Sequence, residues 1–386
     1  MRHWAKHYGL SLMGFLGITL SMLSHAQIRT SNARIGINHV NLNEVPVADR
    51  VRLDVKNLYI QMAWSLYNYP RLSQTEITEA KALPLEMNIS GRNRTLPTVE
   101  LRHSGNTSRP LLVMSAGLFA SEWEDLKAAK SFYDIGYDVL KVPTGLSESF
   151  VKTFPWIEPG DLAIEAEILI QSVNSYRAKY GIESSGHRVV AYGSSYGGSV
   201  VLKAAERQPN FFSRVVSLGP IYDFMYSAQV FDGLMKSAPR GSTLLDGRDA
   251  VVEIEQGVGF LMSKDPQTLD SEAYDSYARK KMADVMIDKL VIYCRSRFRG
   301  EAPASKCDKV RSFGDLQKFT GVKPPMNSQL QPSQNPRLFV LATANDPLNQ
   351  NPLPIGHTFV LEKGGHFGFL GTTLESRFLK DLLSSQ

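Results

Sequence analysis

A serine between closely spaced glycines is the sharpest chemical signal in this sequence. The string GSSYGG occupies residues 193–198, after an apolar run and before a helix-forming pattern. In this context the G-x-S-x-G pattern is typical of a tight strand-to-helix turn that presents a nucleophilic serine. A side chain at Gly193 or Gly197 would clash in such a turn, and Ser194 lacks the symmetric glycine flanks. The sequence therefore predicts Ser195 as the nucleophile.

A serine nucleophile needs a base, and the position of His366 suits that role. His366 lies in the string EKGGHFG, residues 362–368, just after the last predicted strand. Loops at the carboxyl ends of parallel strands meet at one edge of a sheet, so we expect this loop and the Ser195 turn to lie together. His187 begins its strand and is therefore expected at the opposite edge. The remaining histidines beyond residue 26 precede a strand or lie outside the alternating core; they are His39, His103 and His357. By elimination we predict His366 as the base.

The base needs an acid to orient it, and two aspartates are candidates. Asp346 lies in the string ANDPL, residues 344–348, shortly after a predicted strand. A carboxylate there would fix the histidine tautomer and stabilise the imidazolium. The chain order serine, aspartate, histidine matches a known triad order and favours Asp346. Asp223, which follows the preceding core strand, stays open as the alternative acid.

Two backbone N–H groups are expected to stabilise an oxyanion. One is the N–H of Tyr196, the residue after the nucleophile, at a helix N-terminus that also favours negative charge. The other is expected from the loop SAGLF, residues 115–119, which follows a continuous apolar strand. In that loop Gly117 lets the backbone approach closely, and Leu118 or Gly117 supplies the N–H.

The elements that must position these residues alternate between strand and helix. Apolar runs predict the strands, and helical periodicity predicts the helices between them. The predicted strands cover residues 111–114, 137–142, 187–192, 214–218, 337–342 and 358–361. The predicted helices cover residues 121–135, 162–180, 196–207 and 368–384. Such alternation indicates a mostly parallel α/β sheet with helices on both faces, preceded here by an antiparallel hairpin over residues 83–103.

The alternation stops over residues 225–335, where the pattern is mainly helical. We interpret this segment as a helical cap inserted between two parts of one core, residues 83–224 and 336–386. Residues 27–82 are interpreted as an N-terminal helical extension, because apolar residues recur at near-helical spacing over 47–69.

The N-terminus has the organisation of a signal peptide. Arg2 and Lys6 precede the apolar stretch Leu10–Leu23, and small residues occupy positions 24 and 26. The stretch is shorter than the ~20 residues of a membrane span, and the pattern predicts cleavage after Ala26. The mature chain is then expected to be secreted or periplasmic, without a stable membrane span. An uncleaved membrane anchor is the alternative.

Composition narrows the remaining function classes. The chain has 386 residues and a net charge of +5 at pH 7, without a run of five basic residues, so nothing points to nucleic acid. Only Cys294 and Cys307 are present, and two cysteines in an exported chain predict a disulfide. No H-E-x-x-H string or close Cys/His cluster predicts a metal site.

The nucleophile turn, the N-D-P acid loop and the G-G-H-F loop together resemble the α/β-hydrolase superfamily. The resemblance covers residues 83–223 and 336–384, with a gap where this superfamily carries lids or caps. It implies a mostly parallel sheet of eight strands, a serine nucleophile, and hydrolysis of ester, thioester or amide bonds without a cofactor. It also implies that the cap selects the substrate.

We therefore expect an exported serine hydrolase that cleaves a carboxylic ester, a thioester or an amide through an acyl-enzyme intermediate. The expected partner is a small-molecule or lipid-like acyl substrate. Two alternatives stay open. A peptidase or an acyltransferase would use the same residues with a different pocket, and a non-catalytic binding protein would keep the fold without the chemistry.

Overall fold

A mixed β-sheet runs through the protein, for which we have a computed structural model. The structure describes residues 33–46, 49–50, 53–54, 77–105, 109–115, 117–118, 122–123, 126–237, 272–298, 304–321, 325, 328–366, 368–370 and 372–384. The strands within these ranges are β1 (Gly36–Val40), β2 (Ala80–Ile89), β3 (Arg92–Leu101), β4 (Leu111–Ser115), β5 (Asp138–Val142), β6 (Val189–Ser194), β7 (Arg214–Leu218), β8 (Leu338–Thr343) and β9 (His357–Leu361). Their order across the sheet is β1-β9-β8-β7-β6-β4-β5-β3-β2.

Seven contiguous strands of this sheet, from β1 to β5 in spatial order, run parallel. Strand β3 is antiparallel to both β5 and β2, so the predicted hairpin forms one end of the sheet. Every residue of β4 and β5 is buried, as expected for parallel strands with helices on both faces. The carboxyl ends of the parallel strands therefore share one edge.

A short 3₁₀ helix covers Leu42–Glu44. The α-helices with bounds in the described ranges are α1 (Leu126–Asp134), α2 (Glu148–Thr153), α3 (Leu162–Tyr180), α4 (Tyr196–Arg207), α5 (Phe224–Ser237), α6 (Glu272–Arg297), α7 (Ala304–Cys307), α8 (Phe313–Thr320) and α9 (Thr373–Ser384). Helices α3 and α4 pack in one apolar layer, with Leu162 and Val200 in its core. Helices α1 and α9 pack in the other, with Leu126 and Phe378 in its core. The sheet is thus covered on both faces, as the alternating pattern predicts.

Residues at its two ends set the boundaries of helix α3. The side chain of Asp161 accepts a hydrogen bond from the N–H of Ile164 at 3.2 Å, which satisfies one free donor of the first turn. The helix ends at Gly181, whose backbone is left-handed with φ 62°. The bounds Leu162–Tyr180 are those that the sequence predicts.

Two predictions about the sheet and its flanks are corrected by the structure. The described residues form nine strands rather than eight, and the additional strand, β1, lies in the segment 27–82 that we predicted to be helical. Strand β1 is an edge strand without a fully buried side chain, and it pairs with β9, about 320 residues later in the chain. An edge strand of this kind has only a weak apolar pattern in its sequence, since it is held by hydrogen bonds to a strand that is distant in the chain. The predicted helices over 47–69 and the predicted signal peptide fall largely or wholly outside the described residues.

The described part of the segment 225–335 is mainly helical. A disulfide joins Cys294 at the end of α6 to Cys307 at the end of α7, with the two Cα atoms 5.5 Å apart. Arg295 and Asp308 form an ion pair beside it at 2.6 Å. The division into core and cap stays a prediction, since residues 238–271 lie outside the described ranges. Within those ranges no helix combines the length and apolarity needed to cross a membrane.

Candidate active site

Ser195 occupies a strained turn between β6 and α4. Its backbone has φ 52° and ψ −126°, and among the described non-glycine residues only Ser90 also has a positive φ. Such a conformation costs about 1–3 kcal/mol in an L-residue and persists only where its surroundings enforce it. The Ser195 N–H donates to the carbonyl of Leu218 at 2.8 Å. A Cβ atom on Gly193 would lie 2.3 Å from the carbonyl oxygen of Gly197, so this tight turn requires glycine there.

His366 lies in the loop between β9 and α9, and hydrogen bonds from the neighbouring loop fix its position. The N–H of Gly365 donates to Asn345 Oδ1 at 2.9 Å, and the hydroxyl of Thr343 donates to the carbonyl of Gly365. The ring of His366 is buried, with Nε2 2.8 Å from Ser195 Oγ. A ring nitrogen that can accept a proton therefore lies within hydrogen-bond reach of the serine hydroxyl.

Asp346 begins the turn after β8 and faces the other ring nitrogen of His366. Its Oδ2 atom lies 2.8 Å from His366 Nδ1 and also accepts from Asn349 Nδ2 at 2.8 Å, while Oδ1 accepts from the Leu348 N–H at 2.8 Å. A carboxylate only accepts hydrogen bonds, so Nδ1 carries the proton and Nε2 is left to accept from Ser195. The three side chains belong to residues at most 7% exposed, and low local polarity strengthens these contacts.

Asp223, the alternative acid, is occupied elsewhere. Its Oδ1 atom accepts from the N–H groups of Met225 and Tyr226, at 2.9 and 3.1 Å, in the first turn of α5. Its Oδ2 atom accepts from Gln329 Nε2 at 2.8 Å. Asp223 is thus the N-cap of a helix, and the structure brings Asp346 rather than Asp223 to His366.

The two expected oxyanion donors lie in loops at the same sheet edge. Tyr196 is the first residue of α4, so its N–H has no partner within the helix. Leu118 is buried after β4, and its carbonyl accepts from the Leu146 N–H at 2.9 Å. The carbonyl of Gly117 accepts from the hydroxyl of Thr144 at 2.6 Å. Both carbonyls therefore bond to the loop after β5, which fixes the orientation of the Gly117–Leu118 backbone.

The other core histidines have structural contacts instead. Arg177 Nε donates to His187 Nδ1, and His187 Nε2 lies near the carbonyl of Arg109, both at 3.1 Å. Burial, and secondarily the Arg177 cation, lowers the pKa of His187. The ring of His357 stacks on Phe339, with centroids 4.8 Å apart. Among the described residues, no group of three or more His, Cys, Asp or Glu side chains is arranged to hold a metal ion.

Asn349 is a residue that the sequence analysis missed. Its amide Nδ2 donates to Asp346 Oδ2 at 2.8 Å and to the carbonyl of Pro220 at 2.9 Å. Its Oδ1 accepts from the Tyr222 N–H at 2.8 Å. One side chain thus connects the loop after β8, which carries Asp346, to the loop after β7. An Asn three residues after an Asp in a turn was the available signal, but its partners 127 and 129 residues away were not visible in the pattern.

Comparison with known proteins agrees with this geometry at the nucleophile. The sequence profile of the prolyl oligopeptidase family, Peptidase_S9, matches residues 170–237. This segment runs from within α3, through the Ser195 turn, to the end of α5. It is less than half of the chain, so it does not by itself assign the chain to that family. No curated protein matches the sequence significantly.

Similar solved structures include hydrolases of several kinds. A 2,6-dihydroxy-pseudo-oxynicotine hydrolase is 14% identical, with a TM-score of 0.41, 79% of this chain covered and 69% of that one. An acylaminoacyl peptidase from Pyrococcus horikoshii is 12% identical, with a TM-score of 0.38, 81% of this chain covered and 42% of that one. A thioesterase domain from the curacin biosynthetic pathway is 10% identical, with a TM-score of 0.38, 79% of this chain covered and all of that one (100%). Because all three TM-scores are below 0.5, these similarities do not assign an activity to this chain.

The assignment follows from the fold itself. A largely parallel sheet, a strained serine turn between a central strand and its helix, and the order serine, aspartate, histidine at one sheet edge define the α/β-hydrolase arrangement. The profile match covers the nucleophile turn of that arrangement and points to a serine hydrolase. The chain therefore has the α/β-hydrolase fold.

Proposed function

We propose that this protein is an exported serine hydrolase that cleaves a carboxylic ester, with a thioester or an amide as related substrates. The observation that carries the proposal is the continuous hydrogen-bonded series Asp346–His366–Ser195, which begins at a buried carboxylate and ends at a serine in a strained turn. The distances between these side chains are those that general-base activation of a hydroxyl requires.

In the first half of the reaction, Ser195 Oγ bonds to the carbonyl carbon of the substrate while His366 Nε2 takes the hydroxyl proton. The carbonyl oxygen becomes an oxyanion, which we assign to the N–H groups of Tyr196 and Leu118. When the tetrahedral intermediate collapses, the bond to the leaving group breaks, and the leaving group takes the proton from His366. Asp346 stabilises the imidazolium between these two transfers.

In the second half, water replaces the alcohol. His366 Nε2 removes a proton from the water as its oxygen attacks the acyl carbon, and a second oxyanion forms in the same place. Collapse releases the carboxylic acid and returns the proton to Ser195 Oγ. The cycle needs no oxidant, reductant or cofactor, because every proton is exchanged between the substrate, water and His366.

A peptidase is the second candidate, and the profile match to the prolyl oligopeptidase family is the observation that favours it. The match covers the nucleophile turn, which ester and peptide hydrolysis share, so it leaves the acyl and leaving groups open. A lipid-like acyl substrate is part of the proposal and rests on the sequence alone.

Export is supported by the predicted signal peptide and by the Cys294–Cys307 disulfide, a bond that persists in oxidising compartments.

Hydrolysis assays on the mature chain, from Gln27, test the proposal. We would compare p-nitrophenyl esters of increasing acyl length with aminoacyl p-nitroanilides, in the wild type, Ser195→Ala and the neighbouring control Ser194→Ala. We expect ester turnover in the wild type and in Ser194→Ala, and loss of nearly all of it, on the order of 10⁶-fold in kcat, in Ser195→Ala. Equal turnover in the wild type and Ser195→Ala would refute the proposal, while a preference for anilides would favour the peptidase.

A further inference from the structure

A carboxylate that the proposed reaction does not use lies directly behind the nucleophile turn. Glu165 is in the first turn of α3 and is only 3% exposed. Its Oε1 atom accepts from the hydroxyl of Tyr196 at 2.5 Å, and its Oε2 atom accepts from the N–H of Gly145 at 2.9 Å. We call Glu165, Tyr196 and Gly145 the Glu165 cluster.

The three residues of the cluster are closely packed. A Cβ atom on Gly145 would lie 2.7 Å from Glu165 Oε1 and 3.1 Å from the Tyr196 ring, so a side chain there would have to displace the Glu165 carboxyl group. The Tyr196 ring also packs edge-on against Phe224, at the start of α5, with centroids 5.5 Å apart. Burial of a polar carboxyl group is costly unless its oxygens are hydrogen-bonded, and both oxygens of Glu165 are.

The two contacts of Glu165 lead to the two backbone segments assigned as oxyanion donors. Tyr196 itself supplies one N–H, and its side chain is held by Glu165 Oε1. Gly145 belongs to the loop after β5. In that loop Thr144 Oγ1 bonds to the carbonyl of Gly117 and Leu146 N–H bonds to the carbonyl of Leu118.

We propose that Glu165 is a positioning residue for the oxyanion hole, holding the Tyr196 backbone and the Gly117–Leu118 backbone at a fixed separation. This inference rests on the proposed function, since it concerns the same site. Glu165 does not contact the substrate; it acts through Tyr196 on one side and through the loop of Gly145 on the other. Donors fixed in advance of the reaction stabilise a developing oxyanion far better than donors that must reorganise.

The test measures kcat, KM and the affinity for an alkyl boronic acid, whose tetrahedral adduct on the serine resembles the oxyanion intermediate. The variants are Glu165→Gln, which keeps the shape but loses one acceptor, and Tyr196→Phe, which removes the hydroxyl but keeps the backbone N–H. The matched control is Glu167→Gln, a half-exposed carboxylate on the same helix. Active sites are counted with a fluorophosphonate, so that kcat refers to folded, reactive enzyme only.

We expect Glu165→Gln and Tyr196→Phe each to lower kcat and boronate affinity about tenfold with KM unchanged, less than the ~10²–10³ for outright loss of one donor. The double variant should also lose about tenfold rather than a hundredfold, because both changes break the same contact. Glu167→Gln should match the wild type. If Glu165→Gln does not fold, Tyr196→Phe and Thr144→Val, which removes the bond to Gly117, decide the matter.

Values of kcat per active site and boronate affinity within twofold of the wild type, in the folded Glu165, Tyr196 and Thr144 variants, would overturn the inference. Such a result would leave the proposed function intact, because the wild type would still react at Ser195. A wild type that does not react with the fluorophosphonate would instead overturn the proposed function, and with it this inference.

Discussion

Asp223 and Asp346 follow neighbouring parallel strands at the same edge of the sheet, yet only one of them reaches the histidine. After β7 the chain turns directly into α5. One oxygen of Asp223 accepts from N–H groups in the first turn of that helix, and the other accepts from the side chain of Gln329. After β8 the chain makes a turn without a following helix, and Asp346 keeps Oδ2 directed at His366. The element that follows each strand therefore decides the role of the carboxylate.

Asn349 extends this contrast, because it connects the two loops. It donates to Asp346 and to Pro220 and accepts from Tyr222, so the loop that carries Asp223 also supports the loop that carries Asp346. Tyr222 is buried there, and burial, with the charge of Asp346 as the next cause, raises its pKa well above the ordinary value. The phenol is thus a neutral neighbour of the acid.

The largest expected effect comes from Asp346→Asn. An amide there presents a donor to His366 and favours the wrong tautomer, so we expect kcat for p-nitrophenyl acetate to fall on the order of 10⁴-fold. Circular dichroism and melting temperature would show that the fold is retained. Activity within tenfold of the wild type would return Asp223 to consideration.

The next expected effect concerns Glu165, a buried carboxyl group that contacts the Tyr196 hydroxyl and the Gly145 N–H. Burial raises its pKa from an ordinary 4.5 to about 8, against the opposing hydrogen bonds from Tyr196 and Gly145. The folded protein therefore holds a proton that the unfolded chain releases, and stability should fall as pH rises from about 4.5 to about 8. The slope is about 1.4 kcal/mol per pH unit. Urea unfolding at several pH values, with Glu165→Gln as the reference, would measure it; parallel pH profiles of the two proteins would contradict it.

Asn349→Ala tests the connection between the two loops. It removes one donor to Asp346 Oδ2 and the contacts to Pro220 and Tyr222. We expect a loss of about tenfold in kcat with little change in KM, because a misplaced acid weakens the transition state more than ground-state binding. Steady-state kinetics would decide, and a change confined to KM would place Asn349 in substrate binding instead.

The smallest expected effect on activity is that of Asp223→Ala. Loss of an N-cap costs about 1 kcal/mol of stability, with a range of 0.5–2, and kcat should stay within about twofold of the wild type. Unfolding and ester hydrolysis measured on the same preparation separate the two quantities. A loss of activity comparable to that of Asp346→Asn would contradict the distinction between the two aspartates.

Much of this arrangement could be predicted because its signals are local. The helix Tyr196–Arg207 and the strand Arg214–Leu218 have the predicted bounds, since apolar periodicity and the glycines of the turn specify them. Ser195, His366 and Asp346 could be selected from chain order and sheet edge alone. Contact between their side chains is what the structure adds.

The missed features depend on partners far away in the chain. Strand β1 forms through pairing with β9 and buries no side chain fully. Asn349 and Glu165 act through loops after other strands, so their neighbours in sequence give no indication of their contacts. Helix α2 was also missed. It is only six residues long, with Ser147 as its N-cap, and six residues are too few for an apolar periodicity to be recognised.

Fluorophosphonate labelling of the mature protein tests the central claim most directly. The reagent reacts with activated serines, so peptide mapping by mass spectrometry should find the native protein modified at Ser195 and the heat-denatured protein unmodified. Asp346→Asn should react far more slowly, and Asp223→Ala at nearly the wild-type rate. A folded wild-type protein that is unlabelled, or labelled at another serine, would contradict the assignment of Ser195, His366 and Asp346 as one reacting unit.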